Sequence, residues 1–298
     1  MQKLLFIVNP CAGQKKILRH LPEVISQFSQ AGYEVTIYMT DHSGHATQIA
    51  EERCGDFDLV VCAGGDGTLN EVITGILRSG AGTPIGYIPC GSTNDFATTL
   101  RIPLNIPQAA KIITDGVPVA HDVGTFGDRY FSYVASFGAF ARASYATAQN
   151  VKNALGHLAY WLEGISELAQ IRPVHARFEY DGKTVEGDYI FGAISNSTSV
   201  GGVLTLDRNR VDLQDGKFEL LLVRSPKDWN EVRDLLLALT EQRYESGVFT
   251  MDSFSRLTVC QNDPTPWSLD GERAEGLPCV NMENLHQAIQ IIHNREEA

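Results

Sequence analysis

The chain has 298 residues, 43% of them hydrophobic, and a formal net charge of -12. That length suits one large or two medium domains with ample material for a core. The acidic balance argues against broad electrostatic binding to nucleic acid, and the local basic group Lys15, Lys16, Arg19 and His20 reads as a solvated helix face.

The first apolar run, Leu4–Val8, stops at Asn9-Pro10 and is too short for a secretory core. No stretch approaches the ~20 apolar residues that cross a bilayer, so membrane contact is expected to be peripheral. Six cysteines, at 11, 54, 62, 90, 260 and 279, form no C-x-x-C pair. They are expected to be reduced thiols of a cytoplasmic protein, with Cys62 and Cys90 as small core residues.

From the N-terminus, strands and helices alternate. The pattern predicts strands at 4–8, 35–39, 59–62 and 85–88. Helices are predicted over 17–30, 45–53, a segment after 65 that buries Val72, Ile73, Ile76 and Leu77, a short one at 96–100, and one opened by Pro107 and closed by Gly116. Such alternation implies a parallel sheet with helices on both faces, whose sites form at the carboxyl ends of the strands. After about Asp122 the pattern changes to short β-like segments at 130–135, 175–180, 187–195, 218–223, 249–254, 256–261 and 278–282, which read as antiparallel. A long helix over 148–170 and a second over 230–240 interrupt them. A last strand is expected at 288–293.

The stretch Cys62-Ala63-Gly64-Gly65-Asp66-Gly67-Thr68-Leu69-Asn70-Glu71 ends an apolar run and opens an amphipathic segment. Strand, glycine-rich turn and helix in that order make an anion site, because bent backbone and a helix N-terminus direct N–H groups at one ligand. An aspartate in such a turn calls for a cation, most simply magnesium on a nucleotide phosphate. A second turn, Pro89-Cys90-Gly91-Ser92-Thr93-Asn94-Asp95-Phe96-Ala97, follows the next strand. His42 and His45 lack an obvious carboxylate pattern and read as surface or capping residues. The aromatic run Tyr130, Phe131, Tyr133, Phe137 and Phe140 is expected in a β-domain core rather than lining a lipid cleft.

Six blocks in order resemble the diacylglycerol kinase catalytic domain family, in its bacterial soluble lipid kinase branch. They are Asn9-Pro10-Cys11-Ala12-Gly13; Gly64-Gly65-Asp66-Gly67-Thr68; Pro89–Ala97; Leu155-Gly156-His157-Leu158-Ala159-Tyr160; Asp212-Leu213-Gln214-Asp215-Gly216-Lys217-Phe218-Glu219-Leu220; and Leu269-Asp270-Gly271-Glu272. The resemblance covers nearly the whole chain. It implies an NAD kinase/diacylglycerol kinase-like two-domain fold: a parallel α/β nucleotide domain over residues 1–122, joined by a returning segment 288–298, and an antiparallel β-sandwich lipid domain over 123–287. The active site is expected in the cleft between them.

The implied activity is transfer of the ATP γ-phosphate to a lipid hydroxyl such as that of diacylglycerol, with magnesium. The implied nucleotide contacts are Asn9, Thr40, Gly64, Gly65, Asp66, Gly67, Thr68, Gly91, Ser92, Thr93 and Asn94. Asp66 and Asp95 are implied members of a carboxylate and water network around magnesium, with Asp122 as a third. Asp212, Asp215 and the backbone carbonyl of Lys217 are implied ligands of a structural magnesium. Asp270, with Glu272 as orienter or as the base itself, is expected to accept the hydroxyl proton. The expected partner is a lipid at the inner face of a membrane, met peripherally. An edge strand of the second domain could pair to make a homodimer. The alternatives are an NAD kinase, disfavoured by the G-S-T-N-D order at 91–95, and a non-catalytic nucleotide- or lipid-binding protein.

Overall fold

The structure is a computed structural model that describes residues 1–92, 94–138, 172–197, 199–200, 204–205, 211–244 and 247–294. The long helix expected over 148–170, the block 155–160, Phe140, Thr93 and the last four residues lie outside the described residues. Two compact units divide the chain. The first comprises Met1–Val123, Leu213–Gly216 and Leu285–Ala298, and the second Gly124–Asp212 and Lys217–Asn284.

In the first unit, β1 (Gln2–Val8), β2 (Tyr33–Met39), β3 (Leu59–Gly64) and β4 (Ile85–Pro89) form a parallel sheet in the order β4-β3-β1-β2. Leu4 to Val8 are all fully buried, as a central strand covered on both faces requires. The edge strand β2 mixes half-buried and exposed residues, with none fully buried. Ile291 of the last strand, Cys279–His293, pairs in parallel with Ile85. The connecting helices are α1 (Lys16–Gln30), α2 (His45–Arg53), α3 (Asp66–Ser79), α4 (Asp95–Thr99) and α5 (Ile106–Asp115). Lys15, Lys16 and Arg19 are exposed and His20 is half-buried. The Asn105 side chain caps α5 by accepting from the Gln108 N–H, and Pro107 supplies a preset φ in the first turn. Gly80 ends α3 in the left-handed region and returns its N–H to the Ile76 carbonyl.

One strand of this region escapes the sequence pattern. Val117–Phe126 is a ten-residue strand, β5, although it carries Pro118, His121 and Asp122. His121 and Asp122 are both buried, so these polar residues sit inside the fold.

The second unit is antiparallel. Val134–Gly138, Val174–Tyr180, Lys183–Ser195 and Arg256–Gln261 pair in a sheet with residues 279–283 of the last strand. Phe218–Arg224 joins Lys183–Ser195 on one side and Phe249–Phe254 on the other. A helix, Trp229–Glu241, is capped by the Asp228 carboxylate. The core collects Phe126, Phe131, Phe137, Phe178, Phe218 and Trp267. Phe131, Tyr133 and Phe137 of the aromatic run are buried, and Phe131 and Phe137 belong to that core.

Three sequence expectations are corrected here. The strand expected at 130–135 is two, Arg129–Phe131 and Val134–Gly138, because the N–H groups of Ser132 and Tyr133 turn to the carboxylate of Asp270 instead of a neighbouring strand. The segments at 278–282 and 288–293 are parts of one strand of 15 residues. Cys260 and Cys279 form a disulfide rather than remaining reduced, since the register sets them directly opposite on adjacent strands, with Cα atoms 4.1 Å apart. Cys11, Cys54, Cys62 and Cys90 remain free thiols.

Candidate active site

In the first unit, three turns after β1, β3 and β4 meet at the carboxyl ends of their strands. Backbone bonds fix the order: Asn9 N–H donates to the Ala63 carbonyl at 2.9 Å, and Cys90 N–H donates to the Gly64 carbonyl at 2.7 Å. The Asn9 side-chain amide donates to Thr68 Oγ1 at 3.0 Å, while its carbonyl oxygen accepts from the Cys11 N–H. Thus the first turn is stitched to the third strand and to the helix after it.

The glycines set how closely these turns approach. A Cβ on Gly13 would lie 1.7 Å from the Cys90 carbonyl oxygen, and φ there is +48°. A Cβ on Gly91 would lie 2.6 Å from the Cα of Gly65. Backbone thus lies against backbone, an approach open only to glycine. Asn94, in the left-handed region at φ 55°, closes the third turn: its Oδ1 accepts from the Gly91 N–H at 2.8 Å and its Nδ2 donates to the Gly91 carbonyl at 3.0 Å.

The Asp66 carboxylate meets the backbone at Asp95. The two carboxylate oxygens of Asp66 accept from the N–H groups of Asp95, at 3.2 Å, and Phe96, at 3.3 Å. The Asp66 carboxylate therefore caps α4, where the helix dipole favours a negative charge. Asp66 and Asp95 are half-buried, Ser92 is exposed, and Thr68 and Thr40 are buried. Thr40 follows β2 directly and donates its N–H to the Val8 carbonyl. Burial pushes the Cys62 thiol well up and the Cys90 thiol up to about 12, so both stay protonated beside these turns.

Asp122 is also in the first unit and almost fully buried. Its N–H donates to the Leu213 carbonyl, its Oδ2 accepts from the Gly216 N–H at 2.7 Å, and its Oδ1 accepts from the Gln287 N–H at 2.7 Å. It fastens the turn that carries Asp215. Asp212 and Asp215 are exposed, and the Lys217 carbonyl accepts from the Asn284 amide at 3.0 Å.

In the second unit, Asp270 is 3% exposed and has φ 49°. Its Oδ2 accepts from Ser132 N–H at 2.6 Å and Ser132 Oγ at 2.7 Å, and its Oδ1 accepts from Tyr133 and Val134 N–H groups, both at 3.0 Å. Burial raises its pKa, while the Ser132, Val134 and Tyr133 donors pull the other way. Glu272 is about half exposed, with Arg129 Nη2 at 3.8 Å from its carboxylate.

Glu71 is the residue the motif reading passed over. Its Oε1 accepts from the Gly44 N–H at 2.8 Å and its Oε2 from the Ala46 N–H at 3.1 Å, which ties the turn before α2 to α3. The available signal was its place one turn into the helix that opens with Asp66, where a carboxylate reaches the neighbouring chain.

Residues 3–126 match the family model of the diacylglycerol kinase catalytic domain. Residues 133–293 match that of the YegS C-terminal NAD kinase beta sandwich-like domain. A diacylglycerol kinase of Bacillus subtilis (strain 168) is 33% identical over 300 residues, covering 100% of this chain and 98% of that protein. A diacylglycerol kinase of Staphylococcus carnosus (strain TM300) is 32% identical over 287 residues, covering 96% and 93%. A crystal structure of a provisionally assigned diacylglycerol kinase from Bacillus anthracis str. Sterne is similar with a TM-score of 0.82 and 25% identity, covering 100% of this chain and 99% of that one. With both parts matched and relatives aligned from end to end, the chain belongs to the diacylglycerol kinase family.

Proposed function

We propose that this protein transfers the γ-phosphate of ATP to a hydroxyl of a glycerolipid, with diacylglycerol as the acceptor. The observation that carries the reading is the Asp66 carboxylate held between two glycine-packed turns at the carboxyl ends of β3 and β4. Phosphoryl transfer is catalysed by positioning and charge stabilisation, and such turns offer backbone N–H groups and hydroxyls to phosphate oxygens.

Gly64 to Thr68, Gly91, Ser92, Thr93 and Asn94 cradle the phosphates in this reading, and Asn9 holds Thr68 in place. Thr40 extends the surface toward the nucleotide. The donor set of Asp66 and Asp95 is all oxygen, which fits a hard divalent ion, so these carboxylates would hold magnesium, directly or through water. Bound there, magnesium would neutralise charge building on the phosphate oxygens. Asp122 fastens the 213–216 turn that carries Asp215, and Asp212, Asp215 and the Lys217 carbonyl are the ligands this reading gives a structural magnesium.

On the acceptor side, Asp270 and Glu272 act together. Burial gives Asp270 the raised pKa that suits a proton acceptor, and its four donors hold the 270–272 turn. Glu272 is the more accessible carboxylate. Because the acceptor is a lipid, the protein works peripherally at a membrane surface on the cytoplasmic side. No helix among the described residues is long and apolar enough to cross one.

The test is purified protein with radiolabelled ATP, magnesium and vesicles carrying diacylglycerol, with product identified by mass. Labelled phosphatidic acid is expected. Labelled NADP from NAD instead, or nucleotide binding without any transfer, would overturn the reading.

A further inference from the structure

We infer that Asp41, His42 and His45 form a binding site for a borderline divalent transition ion of the zinc class. The oxygen and nitrogen atoms that would ligate it, one from each residue, all lie within 4.8 Å of one another. The site is separate from the oxygen-only groups assigned above to magnesium, and it stands whether or not the kinase reading does.

The local sequence builds it. In the turn 42–45, the His45 N–H returns to the His42 carbonyl at 3.3 Å, and Gly44 sits at φ 85°, where other residues are strained. That turn folds His42 back over His45, and the two rings stack with centroids 4.8 Å apart and planes 10° apart. Both Nδ1 atoms face one carboxylate oxygen: His45 Nδ1 is 2.6 Å from Asp41 Oδ1, and His42 Nδ1 contacts the same atom. The Asp41 N–H also points at His45 Nδ1, at 3.3 Å, which marks that nitrogen as an acceptor. One divalent ion would satisfy all three atoms.

Two imidazole nitrogens and one carboxylate oxygen suit zinc, nickel or copper and are a poor match for magnesium, which prefers oxygen ligands. The turn is held from outside the cluster. Glu71 on α3 accepts from the N–H groups of Gly44 and Ala46, and Thr47 Oγ1 donates to the Glu71 carbonyl. Outer contacts of this kind commonly govern affinity by about 10-fold to 100-fold. His175 offers a contrast: it faces two carboxylates, Asp188 and Glu186, but through different ring nitrogens, so its ligand atoms do not converge.

The experiment is calorimetric titration of the whole protein with zinc chloride at pH 8, where ordinary imidazole is neutral and protons compete least. Magnesium is kept in excess, and Cys11→Ser serves as background, since Cys11 is an exposed thiol. One zinc per chain is expected. The double variant His42→Ala/His45→Ala should lose it, and Glu71→Gln should weaken it about 10-fold by loosening the turn. Copper loaded into the protein should show two nitrogen couplings by electron paramagnetic resonance, absent from the double variant. Cys11, Asp41 and His42 are exposed, and His45 and Glu71 are half-buried, so unchanged circular dichroism melts will certify folding. No zinc uptake by the background protein, or uptake unchanged in the double variant, overturns the inference.

Discussion

Asp66 reaches from the turn after β3 to cap the helix that begins at Asp95, accepting the Asp95 N–H at 3.2 Å and the Phe96 N–H at 3.3 Å. Two turns that are 29 residues apart in the chain are thereby locked into one surface. Helix α4 has only five residues, so it depends on this anchor. Asp66→Ala is expected to cost about 2 kcal/mol in urea unfolding, the scale of charge-assisted hydrogen bonds lost from two donors. Phosphoryl transfer should fall far more steeply than stability if, as proposed, the same carboxylate serves the phosphates. A variant that retains turnover would remove Asp66 from the mechanism.

The glycine contacts make a steric prediction. Gly91→Ala puts a methyl group 2.6 Å from the Cα of Gly65 and 2.8 Å from Asn94 Oδ1, both fixed by backbone or by paired hydrogen bonds. Overpacking of this kind costs about 1–3 kcal/mol, which is roughly 5-fold to 150-fold in affinity if it falls on the nucleotide-bound state. Fluorescent nucleotide titration should show that weakening, with the fold intact by circular dichroism.

Asp270 and Glu272 should separate by readout. Asp270→Asn replaces one acceptor oxygen with a donor facing N–H groups inside the fold, and a drop of about 3 kcal/mol in stability is expected. Glu272→Gln, at a half-exposed position, should leave the melting temperature within a degree or two while lowering kcat. Loss of kcat in Asp270→Asn with normal stability would show that its four donors do not hold the turn.

His121 predicts a pH effect. Its ring lies buried against that of His293, with Nε2 atoms 3.3 Å apart, and edge-on to Phe96 of α4. Burial, and then the neighbouring His293, lower its pKa from 6.5 to about 3. In the unfolded chain it would bind a proton below about pH 6.5, whereas the folded protein resists doing so until about pH 3. Below 6.5 the unfolded state therefore holds more protons, and stability falls as pH falls through that window. Urea midpoints between pH 8 and 4 should show this slope, and His121→Asn should flatten it. An unchanged slope would assign acid sensitivity to other groups.

Much of this was legible in the chain. The apolar run 4–8 and the glycine turns after strands identified a parallel sheet with close-packed turns at the carboxyl ends of its strands, because central strands and close backbone contacts leave few residue choices. Strand order allowed the turns of Asp66 and Asp95 to be neighbours, and the Asp66 carboxylate reaches the Asp95 N–H. What stayed hidden depends on long-range partners. The strand Val117–Phe126 was not anticipated, because His121 and Asp122 find their partners at His293, Gly216 and Gln287. The break at Ser132–Tyr133 is set by Asp270, well over a hundred residues away. The Cys260–Cys279 bridge needs the strand register, which local spacing does not reveal. The convergence of Asp41 on His42 and His45 depends on the turn at Gly44, which local spacing does not reveal.

The central claim is that the surface organised by Asp66 serves phosphoryl transfer to a lipid. Its most direct test compares the wild type with Asp66→Asn in single-turnover transfer from labelled ATP to diacylglycerol vesicles in magnesium. The wild type should form phosphatidic acid, and the variant, folded by circular dichroism, should form at least about 100-fold less. Equal product from the two proteins would contradict the account.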